Sequence, residues 1–110
     1  SKGKIELLNV DITEPRFAIN NIQEKIFISA REGNFIEDNK ILLKKSVKFK
    51  SNNFSIESDN VTFDREKQTA QSNDKSTFKS KNTTILSEGF DIYDNGNKID
   101  FYGRASIILK

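Results

Sequence analysis

Residues 39–50 read NKILLKKSVKFK, and the fold turns on how this stretch is taken. Ile41, Leu43, Val47 and Phe49 stand at a period of two, the spacing of a strand with one face buried. Lys45 shares their parity. Either a bulge falls near Ser46, or the Lys45 stem lies along the apolar face with its ammonium at the rim. The same shape returns in NKIDFYGRASIILK at residues 97–110 and, less well, in KQTAQSNDKSTF at residues 67–78. Each copy reads as a strand, a break at glycine or a small polar residue, and a second strand, giving a repeat near 30 residues. Hairpins of that size cannot bury their own apolar faces, so the pattern predicts a stack in which each leans on its neighbour. Such a stack has two open ends.

Working outward, strand alternation recurs at Ile26, Ile28 and Ala30, at Phe54 and Ile56, at Val61 and Phe63, at Phe90 and Ile92, and at Ile99 and Phe101. Turn chemistry separates these segments at residues 37–39, 51–53, 64–67 and 94–97. Asn95-Gly96 favours a type I′ hairpin with arms over residues 90–93 and 98–101, since both central residues of such a turn need positive φ. Residues 19–26 are the one window with a helical alternative, and Asn20-Asn21 makes a loop between strands the better reading.

Composition bounds the function. The chain has 110 residues, 35% of them apolar, and a formal net charge of +2, so residues 1–110 form a single domain with one modest core. It contains no cysteine, histidine, tryptophan or methionine. That removes disulfides, thiolate or imidazole metal ligands, and nucleophile–base schemes built on Cys or His. No run of about 18 apolar residues offers a membrane span. The pairs Glu37 with Asp38 and Asp91 with Asp94 sit in or beside turns, where acids are common, so they make poor acid–base pairs. A calcium loop counted from Asp91 puts Gly96 at its sixth position, yet Tyr93 and Tyr102 occupy ligand positions three and twelve. No enzyme, cofactor or metal site is expected.

The ordered segments Glu14-Pro15-Arg16-Phe17, Ile28-Ser29-Ala30-Arg31, KILLKKSVKF (40–49), IESDNVTFD (56–64), SEGFDIYDNG (87–96) and IDFYGRA (99–105) resemble the periplasmic domain of the LptC family of lipopolysaccharide export proteins. The likeness runs over roughly residues 6–109. It departs at Lys44-Lys45-Ser46, where the family usually has a glycine before a valine, which leaves the bend there open. The resemblance implies an all-β fold, an antiparallel OstA/LptC-like β-jelly roll opened into a V-shaped trough. It also implies a non-enzymatic, periplasmic bridge component, held to the inner membrane by a helix expected upstream of residue 1. Such a component would receive lipopolysaccharide from an inner-membrane ABC transporter and pass it to an LptA-like periplasmic bridge protein.

Under this reading Phe17, Ile19, Ile28, Val47, Phe49, Phe54, Ile56, Phe63, Phe78, Ile85, Phe90, Ile92, Phe101 and Ile107 line the trough, if alternation holds through the bends. Taken singly each is more simply core packing. Taken together, nine phenylalanines with no tryptophan offer a hydroxyl-free lining suited to alkyl chains. Lys40, Lys44, Lys45, Lys48 and Lys50 crowd one segment, with Lys75, Lys79 and Lys81 forming a second cluster. These are a solvated face or edge guard, with lipid phosphates at the rim as the sharper alternative. Lysines interleaved with phenylalanines over residues 40–50 also fit an oligonucleotide-binding module. The small net charge and acids such as Glu57, Asp59 and Asp64 argue against nucleic acid. A purely structural repeat module is the third class, and it would need no greasy interior.

The chain closes on Gly103, a bend, and a last strand over residues 105–110. Ala105, Ser106, Ile107, Ile108 and Leu109 are therefore the candidate docking edge for the next bridge protein by strand addition, with residues 7–13 serving the transporter at the opposite end. The plainer alternative is that Ile107 and Leu109 close the domain's own core.

Overall fold

The computed structural model describes residues 11–20, 25–103 and 106–109, with residue 11 and residues 106–109 as backbone only. Twelve antiparallel strands follow one another without a helix among the described residues: β1 (Asp11–Thr13), β2 (Arg16–Asn20), β3 (Lys25–Ser29), β4 (Glu32–Phe35), β5 (Lys40–Lys50), β6 (Phe54–Asp64), β7 (Thr69–Ser72), β8 (Ser76–Ser80), β9 (Thr83–Ser87), β10 (Gly89–Tyr93), β11 (Lys98–Tyr102) and β12 (Ser106–Leu109). The window over residues 19–26 places Ile19 and Ile26 opposite each other in strands β2 and β3, and residues 21–24 lie outside the description.

The pairing divides the molecule into two wings. In the first, β1, β4, the first half of β5, the second half of β6, β7, β10 and β11 lie side by side in that order. In the second the order is β2, β3, the second half of β5, the first half of β6, β8, β9 and β12. The chain lays down strands in one wing, crosses, lays down strands in the other, and returns. Both wings therefore keep sequence order, and the sheet folds over as an antiparallel β-jelly roll. Two crossings make one period of the sequence repeat, which is why the repeat runs near 30 residues.

The crossings line up as a spine. They fall at Glu14-Pro15, Ala30-Arg31, Lys45-Ser46, Asp59, residues 73–75, Glu88 and Gly103 onward. At the third, two residues of β5 oppose the single Asp59 of β6, a bulge with Lys45 at φ +65° and Ser46 at φ +52°. The bulge settles the parity of Lys45: it is turned out, its ammonium 2.7 Å from Glu32, and no stem lies along the interior. Gly103 makes the last crossing at φ +77°. A Cβ on Gly89, beside the sixth crossing, would stand 2.6 Å from the Ser72 carbonyl oxygen, so close packing there requires glycine.

Serines fasten the spine. Ser58, Ser72, Ser76 and Ser87 are all buried. Ser72 Oγ donates to the Asn60 carbonyl at 2.7 Å and accepts from the Asp74 N–H at 3.1 Å. Ser76 Oγ donates to the Asp74 carbonyl at 2.8 Å, and Ser87 Oγ to the Gly89 carbonyl at 3.0 Å. Backbone groups released from the ladders where the strands bend thus keep partners inside the protein.

Two expectations need correction. The segments at Phe54 and Ile56 and at Val61 and Phe63 are one strand, β6, that passes through the spine without a turn. The Asn-Gly hairpin is not a two-residue turn: Tyr93 pairs with Lys98, which leaves four loop residues. Asp94, Asn95 and Gly96 all take positive φ, and the overlapping bonds Gly96 N–H to Tyr93 O and Asn97 N–H to Asp94 O close it. The left-handed run begins one residue earlier than expected because Asp and Asn tolerate that region.

Candidate functional site: an apolar interior between two wings

Cross-strand register builds the interior. In the second wing Phe17, Ile28, Phe49, Ile56, Phe78, Ile85 and Ile107 are successive partners, one per strand, across all seven strands. In the first wing Phe63, Ala70, Ile92 and Ile99 form one row, and Phe90 pairs with Phe101 in the next. The rows face each other. Rings touch between wings at Phe17–Phe63, Phe49–Phe90 and Phe78–Phe101, with centroids 5.5 Å apart in each case. Phe54 stacks on Phe78 within the second wing.

Burial divides the fourteen candidate residues in two. Ile19, Ile28, Val47, Phe49, Ile56, Phe63, Phe90 and Ile92 are sealed, at most 1% exposed. Phe17, Phe54, Phe78, Ile85 and Phe101 are half-buried. The side chain of Ile107 lies outside the description, although its backbone pairs with Ile85. Sequence reasoning left Ile26, Ile41, Leu43, Val61 and Ala70 out of the lining, yet they are at most 2% exposed. Their alternation was visible; what was missing was that both halves of β5 and β6 contribute to one interior.

Three of the half-buried rings, Phe54, Phe78 and Phe101, form one chain of contacts, while Phe17 lies apart on β2 against Phe63. Phe101 sits on β11, the last strand of the first wing, and meets Phe78. The second wing continues past Phe78 through β9 and β12, which carries the apolar row on to Ile85 and Ile107. Near the other end the wings are bridged: the Asn20 N–H donates to Gln68 Oε1 at 2.9 Å, and Gln68 Nε2 donates to the Arg65 carbonyl.

The candidate docking edge follows the same geometry. β12 pairs with β9, and no further described strand covers its other side. Ala105 and residues 7–10 lie outside the description, while residues 11–13 form β1, the edge strand of the first wing at the opposite end. The basic run over β5 does not form one patch. Lys44 is turned out from the first wing and Lys48 and Lys50 from the second, while Phe49 between them points inward. A strand with its lysines outside and its phenylalanine sealed provides no stacking platform for bases beside those cations.

Electrostatics here are mild. The Lys45 hydrogen bond and charge hold the Glu32 carboxyl below the usual carboxylate range. Burial first, and then Asp91, push the Tyr102 hydroxyl above the ordinary phenol value; it donates to Asp91 Oδ1 at 2.9 Å. Among the described residues no cluster of acidic side chains is arranged to hold a metal ion, and no helix is long and apolar enough to cross a membrane.

Fold and interior together define a class: an antiparallel jelly roll whose two wings enclose a phenylalanine-rich apolar seam. A family model described as lipopolysaccharide-assembly, LptC-related, matches residues 7–109. The chain belongs to that family, whose domain is a periplasmic bridge component of lipopolysaccharide transport in outer-membrane biogenesis. No curated protein matches the chain closely enough to count as a relative.

Proposed function

We propose that this domain is the non-enzymatic bridge component that receives lipopolysaccharide from the inner-membrane ABC transporter and passes it to an LptA-like periplasmic protein. The acyl chains occupy the seam between the wings. The observation that carries this reading is the apolar row of the second wing, unbroken across seven strands and running past the last strand of the first. Each methylene buried there contributes about 0.8 kcal/mol, so a few carbons per chain hold a lipid that remains releasable. The sealed residues are the packing face on which the wings close, and Phe54, Phe78, Ile85 and Phe101 are the first contact for an acyl chain.

The β1 and β2 edges face the transporter, and the β11 and β12 edges accept the next bridge protein by strand addition. An anchoring helix would precede the domain. A photoreactive residue in place of Phe78 or Phe101 is expected to crosslink added lipopolysaccharide, while one in place of Lys79, turned out on the same strand, is not. Labelling from Lys79 alone would place the lipid on the wrong face. Phe49 and Phe90 are poorer probe positions, because both rings are sealed and a probe there reports core damage.

A further inference from the structure

The outer face of the second wing carries a charge and shape that the transport reading does not use. Register sets Arg16, Ser29, Lys48, Glu57, Thr77 and Leu86 in one outward row, and Ala18, Phe27, Lys50, Ser55 and Lys79 in the next. Lys25, two residues before Phe27, points the same way. Arg16, Lys25, Lys48, Lys50 and Lys79 are all exposed, none is ion-paired among the described residues, and Glu57 is the one acid in these rows.

In the second wing only Lys48 has an acid, Glu57, as its cross-strand partner, whereas in the first wing Lys44 stands opposite Glu32, Lys40 opposite Asp64, and Lys98 shares its strand with Asp100. The net charge of +2 therefore hides a one-sided distribution. Near the spine, Arg16, Arg31 and Lys48 surround a surface depression of about 210 Å³ with the Ser29 and Ser46 hydroxyls beside them; Glu14 is its single acid.

Apolar side chains stand in this basic field. Phe27 is 59% exposed and Leu86 43% exposed, two of the three large apolar residues left open to solvent among the described residues, and both lie on this face. A ring flanked by lysines matches a surface that is anionic outside and greasy just beneath. An acidic protein would satisfy the lysines but would also need an apolar pocket in register with Phe27, which a bilayer supplies at every position.

We infer that the outer face of the second wing rests on an anionic phospholipid surface, with its cations over the headgroup phosphates and Phe27 at the level of the upper acyl chains. The contact is separate from the interior. It sets the seam at a fixed height and orientation relative to the bilayer, independent of any lipid held between the wings.

The test uses the 110-residue chain and vesicles free of lipopolysaccharide, phosphatidylglycerol mixed into phosphatidylcholine against phosphatidylcholine alone. Because the chain has no tryptophan, Phe27→Trp supplies a unique reporter. Its emission is expected to move to the blue on the anionic vesicles and to return when salt is raised. The triple variant Arg16→Ser, Lys48→Ser, Lys50→Ser is expected to bind about 100-fold more weakly, near five-fold per charge. Lys44→Ser with Lys98→Ser removes charge from the other wing and leaves binding unchanged. Equal loss in both sets, no shift of the reporter, or binding to an acidic peptide or an oligonucleotide but not to the anionic vesicles would each overturn the inference. Photolabelling from Phe78 is unaffected by the triple variant, which separates failure here from failure of the transport reading.

Discussion

Lys45 and Ser46 are side-chain-bearing residues held at φ +65° and +52°, in a region where a Cβ costs about 1–2 kcal/mol. The bend exists because β5 must leave one wing and enter the other, and its ladder bonds on both sides hold it there. Ser46→Gly is expected to raise stability by about 0.5–1 kcal/mol, the relief exceeding the extra freedom of the unfolded chain, and a urea midpoint reads it. Ser46→Val should move the midpoint the other way. Beside it, Glu32 titrates below its ordinary value because of Lys45. A folded-state value depressed in this way means the pair's contribution is present above the ordinary carboxylate range and is lost as pH falls through the depressed value. Lys45→Ala should return the Glu32 carboxyl toward its ordinary pKa in a carboxyl NMR titration. If Glu32 does not move, the ion pair is not its cause.

At the scale of elements, the spine depends on serines that no periodicity argument marks as important. Ser72→Ala leaves the Asn60 carbonyl and Asp74 N–H without their side-chain partner and should cost about 1–3 kcal/mol by denaturant unfolding. A cost near zero would mean that water serves the bend equally well. Among the described residues the terminal strand β12 has one ladder partner, β9. Removal of the residues after Gly103 should therefore abolish docking of an LptA-like partner while leaving the circular dichroism of the remaining strands in place. Unfolding on truncation would instead make β12 part of the core. Strand identity was legible where alternation is local, as at Ile26 and Ile28 or Ile99 and Phe101, and not at β4 or β9, where the apolar residues do not alternate over a long enough run. Continuity of β6 was not legible, since the apolar alternation changes phase between Ile56 and Val61, and only the crossing from one wing to the other accounts for that.

Across the whole molecule, the wings meet through Phe17–Phe63, Phe49–Phe90 and Phe78–Phe101 and are bridged from Asn20 to Gln68. A lipid that enters the seam binds the folded state alone, so lipopolysaccharide at about 100 times its dissociation constant should add about 2.7 kcal/mol. For a chain of this size that is a rise in Tm on the order of 10–20 °C. Phe78→Asp puts a charge where the first wing ends and should abolish most of that rise while changing the lipid-free Tm less, because Phe78 is only half-buried. A lipid-induced rise that survives Phe78→Asp would move the binding site away from the open end of the seam.

The sequence by itself determined most of the strands, the repeat that carries the chain back and forth, the absence of Cys and His chemistry, and the family likeness, because each is written in local spacing and residue type. Which apolar residues are sealed and which remain reachable was decided only by the tertiary structure. Phe49 and Phe78 stand in the same cross-strand row, and only what faces them from the first wing separates them, Phe90 over the sealed Phe49 and the last strand's Phe101 over the half-buried Phe78. The lysines of β5 likewise look like one run in sequence, and the bulge at Lys45-Ser46 sends Lys44 to one wing and Lys48 to the other.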